Sequence, residues 1–387
     1  MSNWLGYRKS GEHIFIPRGN DIPAHTTFIP NPLTEKLEIN LDTELANLMS
    51  TANRLLGQLE GMSSLLPNTT AIESVFMYKE ALLSCWIDEL NAPLYNVFDA
   101  SGKYQPQASA VHSYVSVMRH GLSKMETSPY KNSFLCEMHG KLLGMGANKD
   151  NGRFRKKQVF LANFLTNSDQ YNPTAPKDIP AAMSDLEKFI QGKDNFDATI
   201  KAALTHYQFE TIHPFMTGNG RIGRILSYMI LSRMKIITRP ILCLSQYLYY
   251  NKMEYIDRME SLRQIYEYEQ WVKFFIQSVI LAAADAHERI MKWLPFRNLY
   301  LKKLKGCGKS IKALDKSFDL VEQHPIIDVN TLAEKSGISY NTAAATLRLF
   351  CDLGIVKQSN TLERNRDYAN TEFLKCFVGD LLPKNNV

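Results

Sequence analysis

The stretch that decides the reading is His213-Pro214-Phe215-Met216-Thr217-Gly218-Asn219-Gly220-Arg221-Ile222-Gly223-Arg224. Pro214 has no backbone donor, so a helix arriving from the N-terminal side stops there. Gly218 and Gly220 flank Asn219, and all three tolerate positive φ. Such a turn aims successive N–H groups into one concavity suited to an anion. A helix begins directly after the turn, and its N-terminal donors and dipole favour phosphate at the same place. Arg221 and Arg224 lie one turn apart on one face, with forked donors that match phosphate oxygens. His213 stands on the other rim as a base that works near neutral pH, and Phe215 is expected to plug into the core. Alone, each piece reads as a tight turn, a structural histidine or a solvated arginine pair. Together they read as a polyphosphate cradle with a base beside it.

The rest of the chain sets the context. With 387 residues, 45% hydrophobic and 22% charged, it has the composition of a globular protein of two or three domains. No apolar run reaches the ~18–20 residues that a membrane span needs. The N-terminus lacks a basic segment followed by an apolar core, so no secretory signal is expected. Six scattered cysteines include no CxxC and no zinc-ligand spacing. They read as reduced thiols in a cytoplasmic protein. A net charge of +6 permits contact with phosphates or nucleic acid without requiring it.

Outward from the loop, helical spacing of apolar residues predicts a mainly α protein. Helices are expected over Leu41–Leu66, Ala71–Leu90, Ala108–Lys124, Ser133–Met145, Ile179–Gln191, Asp197–Glu210, Arg221–Met234 and Leu244 to about Trp293. Residues 1–40 alternate apolar residues with prolines and are expected to run extended and irregular. Arg153 to Leu161 follows the turn signal Asn148–Gly152 and is the β-hairpin candidate. Near Leu294-Pro295-Phe296 the helical series is expected to stop. Expected domains are an N-terminal helical segment over 1–110, a core over 111–295 and a small module over 296–387.

The loop resembles the signature of the Fic/DOC family, His-Pro-Phe-x-Asp/Glu-Gly-Asn-Gly-Arg-x-x-Arg. Members of that family mostly transfer AMP from ATP to a hydroxyl side chain of a protein, with expulsion of pyrophosphate. The resemblance implies a Fic-type helical core with His213 as the base. It assigns Gly218, Asn219 and Gly220 to the phosphates, and Arg221 and Arg224 to the β- and γ-phosphates. Thr217 replaces the acidic magnesium ligand. No protein-held metal is therefore assigned, and Mg²⁺ would be held mainly by nucleotide and water. Efficiency is put in question, because a neutral hydroxyl is a poor ligand for a hard cation.

Further segments resemble the family as well. Gln158, Val159 and Phe160 resemble its β-hairpin flap, which docks the target as an added strand. Tyr247 and Asn251 resemble positions near the nucleotide base. Lys79 to Glu89 resembles its inhibitory helix, Ser/Thr-x-x-x-Glu-Gly/Asn, with Ser84 kept, Asp88 one methylene short of glutamate, and Glu89 at the small residue. That implies a brake that is weakened or taken over by Glu89.

Residues 315–353 read as three short helices with a helix-turn-helix layout. Gly337 sits in its turn and Ser339 caps its second helix. Residues 353–356 and 364–368 are expected to pair as a wing, which resembles the winged helix appended to many Fic proteins. Tyr340, Asn341, Thr342, Thr346 and Arg348 make its second helix polar but poor in cations. DNA contact, protein docking and a homodimer all stay open. The expected function is a protein adenylyltransferase that uses ATP on a target protein or on itself. The alternative is a nucleotide-sensing, DNA-binding regulator with weak or altered phosphotransfer.

Overall fold

Asp197 starts the central helix of the fold, its carboxylate accepting from the Thr199 N–H at 2.8 Å, as a short acidic cap does. The helix it opens, Ala198–Ile212, is buried on nearly every side. Its residues therefore carry no single apolar stripe, as expected when packing surrounds a helix. Asn219–Arg233 packs along it, and the decisive loop joins the two.

In this computed structural model the helices run in chain order as α1 (Thr43–Ser63), α2 (Thr69–Ile87), α3 (Leu94–Phe98), α4 (Gln105–Thr127), α5 (Asn132–Leu143), α6 (Ile179–Gln191), α7 (Ala198–Ile212), α8 (Asn219–Arg233), α9 (Leu244–Tyr250), α10 (Lys252–Ile265), α11 (Tyr268–Lys305), α12 (Ile311–Gln323), α13 (Val329–Ser336), α14 (Tyr340–Asp352) and α15 (Thr371–Val378). The strands are β1 (Gly11–Ile16), β2 (His25–Pro30), β3 (Ile326–Asp328), β4 (Lys357–Gln358) and β5 (Asp367–Ala369). The structure describes residues 10–19, 23–35, 37, 39–101, 105–161, 171–193, 195–265, 267–307, 311–359 and 366–381. The fold is mainly α, as the sequence predicts, with small antiparallel sheets.

The chain divides into two compact units. The first holds Met1–Gly57, Ser116–Thr238 and Leu244–Leu281. Here α7 packs against α8, α6 and β2. The N-terminal segment differs from its irregular expectation, because β1 and β2 pair antiparallel from Gly11–Pro30 to Ile16–His25. Pro17 and Pro23 fall just outside the ladder and Pro30 at its last pair, positions where a missing donor is tolerated. Thr27 and Phe28 are buried, and the Phe28 N–H donates to the Asn172 carbonyl at 3.0 Å. The hairpin expected over 153–161 is described only in part, since 162–170 lie outside the described residues. Residues 153–161 themselves form no strand, and a single antiparallel bridge joins Leu161 to Tyr171.

The second unit holds Gln58–Val115, Arg239–Cys243 and Ala282–Val387. Here α2 packs on α12 and α15, α13 packs on α14, and the small sheet runs in the order β3-β5-β4. The strand expected at 353–356 falls instead at Lys357–Gln358, paired with β5, and 364–365 lie outside the described residues. The long helix expected from Leu244 is three helices. The last of them runs without a break through Pro295, where a boundary was expected, to Lys305. No helix among the described residues is long and apolar enough to cross a membrane.

One buried charge cluster ties this unit together. Glu322, 2% exposed, accepts from Trp293 Nε1 at 2.9 Å, Arg297 Nε at 2.9 Å and Asn68 Nδ2 at 2.6 Å. Removing the carboxylate leaves the buried Trp293 N–H without its acceptor, while Arg297 keeps Asp319 at 2.8 Å and Asn68 keeps the Asp319 carbonyl at 3.2 Å. Glu322→Ala is expected to cost about 1–3 kcal/mol, read as a lowered midpoint in urea unfolding followed by circular dichroism.

Candidate functional site

His213 leaves the end of α7 in the left-handed region, at φ 51° and ψ 61°, with its N–H on the Phe209 carbonyl at 2.9 Å. For a residue with a Cβ this conformation costs about 1–2 kcal/mol and persists where surrounding contacts impose it. Arg155 supplies them. Its side chain is 2% exposed, and its Nε donates to the His213 carbonyl at 2.8 Å. Its Nη1 reaches the Lys157 carbonyl at 3.0 Å, its Nη2 the Thr174 carbonyl, and its own N–H the Pro214 carbonyl at 2.8 Å. A helix C-terminus leaves carbonyls without partners, and here a buried cation takes up those next to the loop. Burial lowers the Arg155 pKa to about 10, so it remains charged at neutral pH.

The loop is closed from inside. Asn219 Oδ1 accepts from the Phe215 N–H and its Nδ2 donates to the Phe215 carbonyl, both at 2.9 Å. The Asn219 side chain is thus committed to the loop rather than turned outward to phosphate. Phe215 is fully buried, as expected, and stacks on the His139 ring at 3.8 Å with 4° between planes. The Gly152 N–H donates to His139 Nδ1 at 2.9 Å, so the proton sits on Nε2, which donates to the Thr217 carbonyl at 2.9 Å. Burial holds His139 below the usual histidine pKa. Gly218 takes φ 75° as the residue before α8, and a Cβ there would stand 3.5 Å from Arg221 Nη2. Arg221 and Arg224 are 7% and 3% exposed, whereas the Thr217 side chain is exposed.

Beneath α8 lies a neutral relay. Ser227 Oγ donates to the Gly223 carbonyl at 2.9 Å and so accepts from His206 Nδ1 at 2.9 Å. Tyr255 donates to His206 Nε2 at 2.7 Å, and the ring lies nearly parallel to Trp271. Burial first, and the charge of Arg224 second, push the His206 pKa down to about 3. Gly223 permits the close approach of α7. A Cβ there would stand 2.3 Å from Glu210 Oε1, and Glu210 Oε2 lies 4.0 Å from His213 Nδ1.

The structure therefore brings His213, Thr217, Gly218, Asn219, Gly220, Arg221 and Arg224 to one loop. Gln158 is fixed by bonds from its Nε2 to the Pro173 and Val159 carbonyls. Phe160 is 39% exposed, with its ring edge-on to His25. Tyr247 packs on Phe274 at 5.3 Å and its carbonyl accepts from Asn251 Nδ2 at 2.9 Å. In the second unit Ser84 is buried on α2, Asp88 is the residue after the helix, and Glu89 takes φ 62°. Sequence reasoning missed Arg155, His139, His206 and Glu210. Arg155 enters the sequence reading only as one residue of the segment Arg153 to Leu161. Its burial comes from tertiary contacts that no local pattern announces.

Residues 129–231 match the Fic/DOC family model, and residues 46–123 match the model of that family's N-terminal region. The chain is 35% identical over 101 residues to a protein adenylyltransferase Fic of Nematostella vectensis, covering 26% of this chain and 22% of that protein. It is 33% identical over 99 residues to protein adenylyltransferase fic-1 of Caenorhabditis elegans, covering 26% and 18%. The chain thus spans about a fifth of the length of these relatives. The crystal structure of a Fic family protein from Desulfovibrio desulfuricans shares the fold, with a TM-score of 0.56, 14% identity, and coverage of 87% of this chain and 98% of that one.

The His206 relay predicts a pH dependence. Its folded pKa lies below the unfolded value, so stability is intact above about pH 6.5 and is lost as pH falls toward 3, because the unfolded chain takes up the proton first. Between pH 6.5 and 5 this residue should cost about 2 kcal/mol. Urea midpoints across that range should fall more steeply in the native sequence than in His206→Gln.

Proposed function

The chain belongs to the Fic/DOC family, and on that premise we propose that it transfers AMP from ATP to a hydroxyl side chain of a target protein or of itself. The observation that carries this reading is the rigid loop that holds His213 in a left-handed turn beside Arg221 and Arg224. His213 takes the proton of the incoming hydroxyl. The oxygen attacks the α-phosphorus, the bond to the bridging oxygen breaks, and pyrophosphate leaves. The first N–H groups of α8 face the phosphates together with Gly218 and Gly220, while Arg221 and Arg224 receive the β- and γ-phosphates. Glu210 favours the imidazolium once His213 has taken the proton. Tyr247 and Asn251 lie toward the nucleotide base, and Gln158, Val159 and Phe160 offer the docking edge for the target.

The donors at Thr217 do not fit a Mg²⁺ held by the protein. Position 217 offers one neutral hydroxyl, its carbonyl is taken by His139, and no cluster of three or more His, Cys, Asp or Glu exists among the described residues.

Ser84 and Asp88 form the brake in this reading. Asp88 ends α2, and Glu89 occupies a left-handed position that suits the glycine or asparagine of the inhibitory pattern. The order α12, β3, α13, α14, β4, β5 supports a C-terminal winged helix. Ser339 caps α14 by accepting from the Thr342 N–H at 3.2 Å. Tyr340, Asn341, Thr342 and Arg348 are exposed on that helix, while Thr346 is buried. Those exposed residues keep a second reading open, in which the loop senses nucleotide and α14 contacts DNA. None of the six cysteines forms a disulfide, which supports a reducing compartment such as the cytosol.

Incubation with α-labelled and γ-labelled ATP separates these readings. Label retained only from the α position and lost in His213→Ala is expected. Retention from the γ position indicates phosphorylation instead, and no label alongside measurable ATP binding indicates the sensor. Asp88→Gly should raise self-labelling, and an unchanged level removes Asp88 as the brake.

A further inference from the structure

Arg263 on α10 is 7% exposed. Among the described residues its guanidinium makes no hydrogen bond and no ion pair. It stacks on the Tyr171 ring, 3.7 Å from the guanidinium carbon. A buried cation without a counter-charge is unfavourable, and stacking on an aromatic face offsets part of that. Among the described residues the fork itself has no acceptor. It lines a cavity of about 660 Å³ together with His13, His25, Phe160, Tyr171 and Asn172. Glu260 is on the same wall, with its Oε1 accepting from Gln264 at 3.2 Å.

The position of this cavity gives it meaning. Phe160 belongs to the edge read above as docking the target, and Tyr171 pairs with Leu161 at the end of that edge. Tyr171 also donates to the Thr211 carbonyl at 2.6 Å, two residues before His213. A polypeptide laid along 158–160 would therefore reach the cavity with a side chain.

We propose that this cavity is a docking pocket for a carboxylate side chain of the target polypeptide, aspartate or glutamate, which pairs with the Arg263 fork. A carboxylate fits because its two oxygens match the paired donors of guanidinium. The aromatic walls of Phe160 and Tyr171 accommodate the methylene stem. The assignment of a target polypeptide rests on the proposed function, whereas the anion site at Arg263 stands without it.

The test is a titration of the full chain, labelled with ¹⁵N-arginine, with N-acetylglutamate N-methylamide, its glutamine counterpart and inorganic phosphate, following the Arg263 Nε–Hε resonance. The glutamate probe is expected to shift that resonance saturably, about tenfold more tightly than the glutamine probe, and more tightly than phosphate. Equal binding of the two amides, or an unmoved resonance, overturns the carboxylate pocket. Tighter binding of phosphate overturns the side-chain assignment in favour of a phosphate group. Arg263→Gln should abolish the binding. If that variant does not fold, Arg263→Lys keeps the charge, loses the fork, and should bind the glutamate probe several-fold more weakly. The titration contains no ATP, so its failure and a failure of AMP transfer are read separately.

Discussion

The buried guanidinium of Arg155 is the contact on which the site depends. It holds the carbonyls of His213, Lys157 and Thr174, and its own N–H holds that of Pro214. Without it, the end of α7 would present unsatisfied carbonyls in the interior, and nothing would compel His213 into its left-handed turn. Charge-assisted bonds of this kind are among the strongest that a protein can place, and burial removes competing water. The loop is therefore held in place by the scaffold itself, and donors fixed in advance in this way need no reorganisation to meet a charge.

A second support comes from below. His139, Asn219 and the His206 relay are neutral groups whose hydrogen bonds are each directed at one backbone or hydroxyl partner. Neutrality matters here because Arg221 and Arg224 are already buried beside them. Another cation would raise the energy of the apo site, and the field of the arginines itself helps to keep both imidazoles uncharged. The positive charge beside α8 is thus that of Arg221 and Arg224 and not of these imidazoles.

Much of the helical frame was legible because a 3.6-residue period is a local property. α6 falls at its expected residues, and α2, α5, α7 and α8 fall within a few residues of theirs. The loop was legible because its chemistry is contiguous. Other features depend on distant chain. β1 and β2 escaped notice because prolines at the ends of the segment masked a ladder whose inward residues are few. Arg155 and Arg263 are charged side chains in polar stretches, and only tertiary packing turns them inward. Pro295 looked like a stop and is carried inside α11, since a long helix packed along its length can lose one hydrogen bond.

The unequal roles of two loop positions bear on how such a protein can change. Thr217 lends the scaffold only its carbonyl, so its side chain can be exchanged without disturbing the frame. Gly223 differs, because a methyl group there, 2.3 Å from Glu210 Oε1, would push that carboxylate from its place 4.0 Å from His213 Nδ1. Drift at the exposed threonine can therefore alter the chemistry of the loop while leaving the Glu210–His213 pair intact, whereas a side chain at the glycine would alter that pair first.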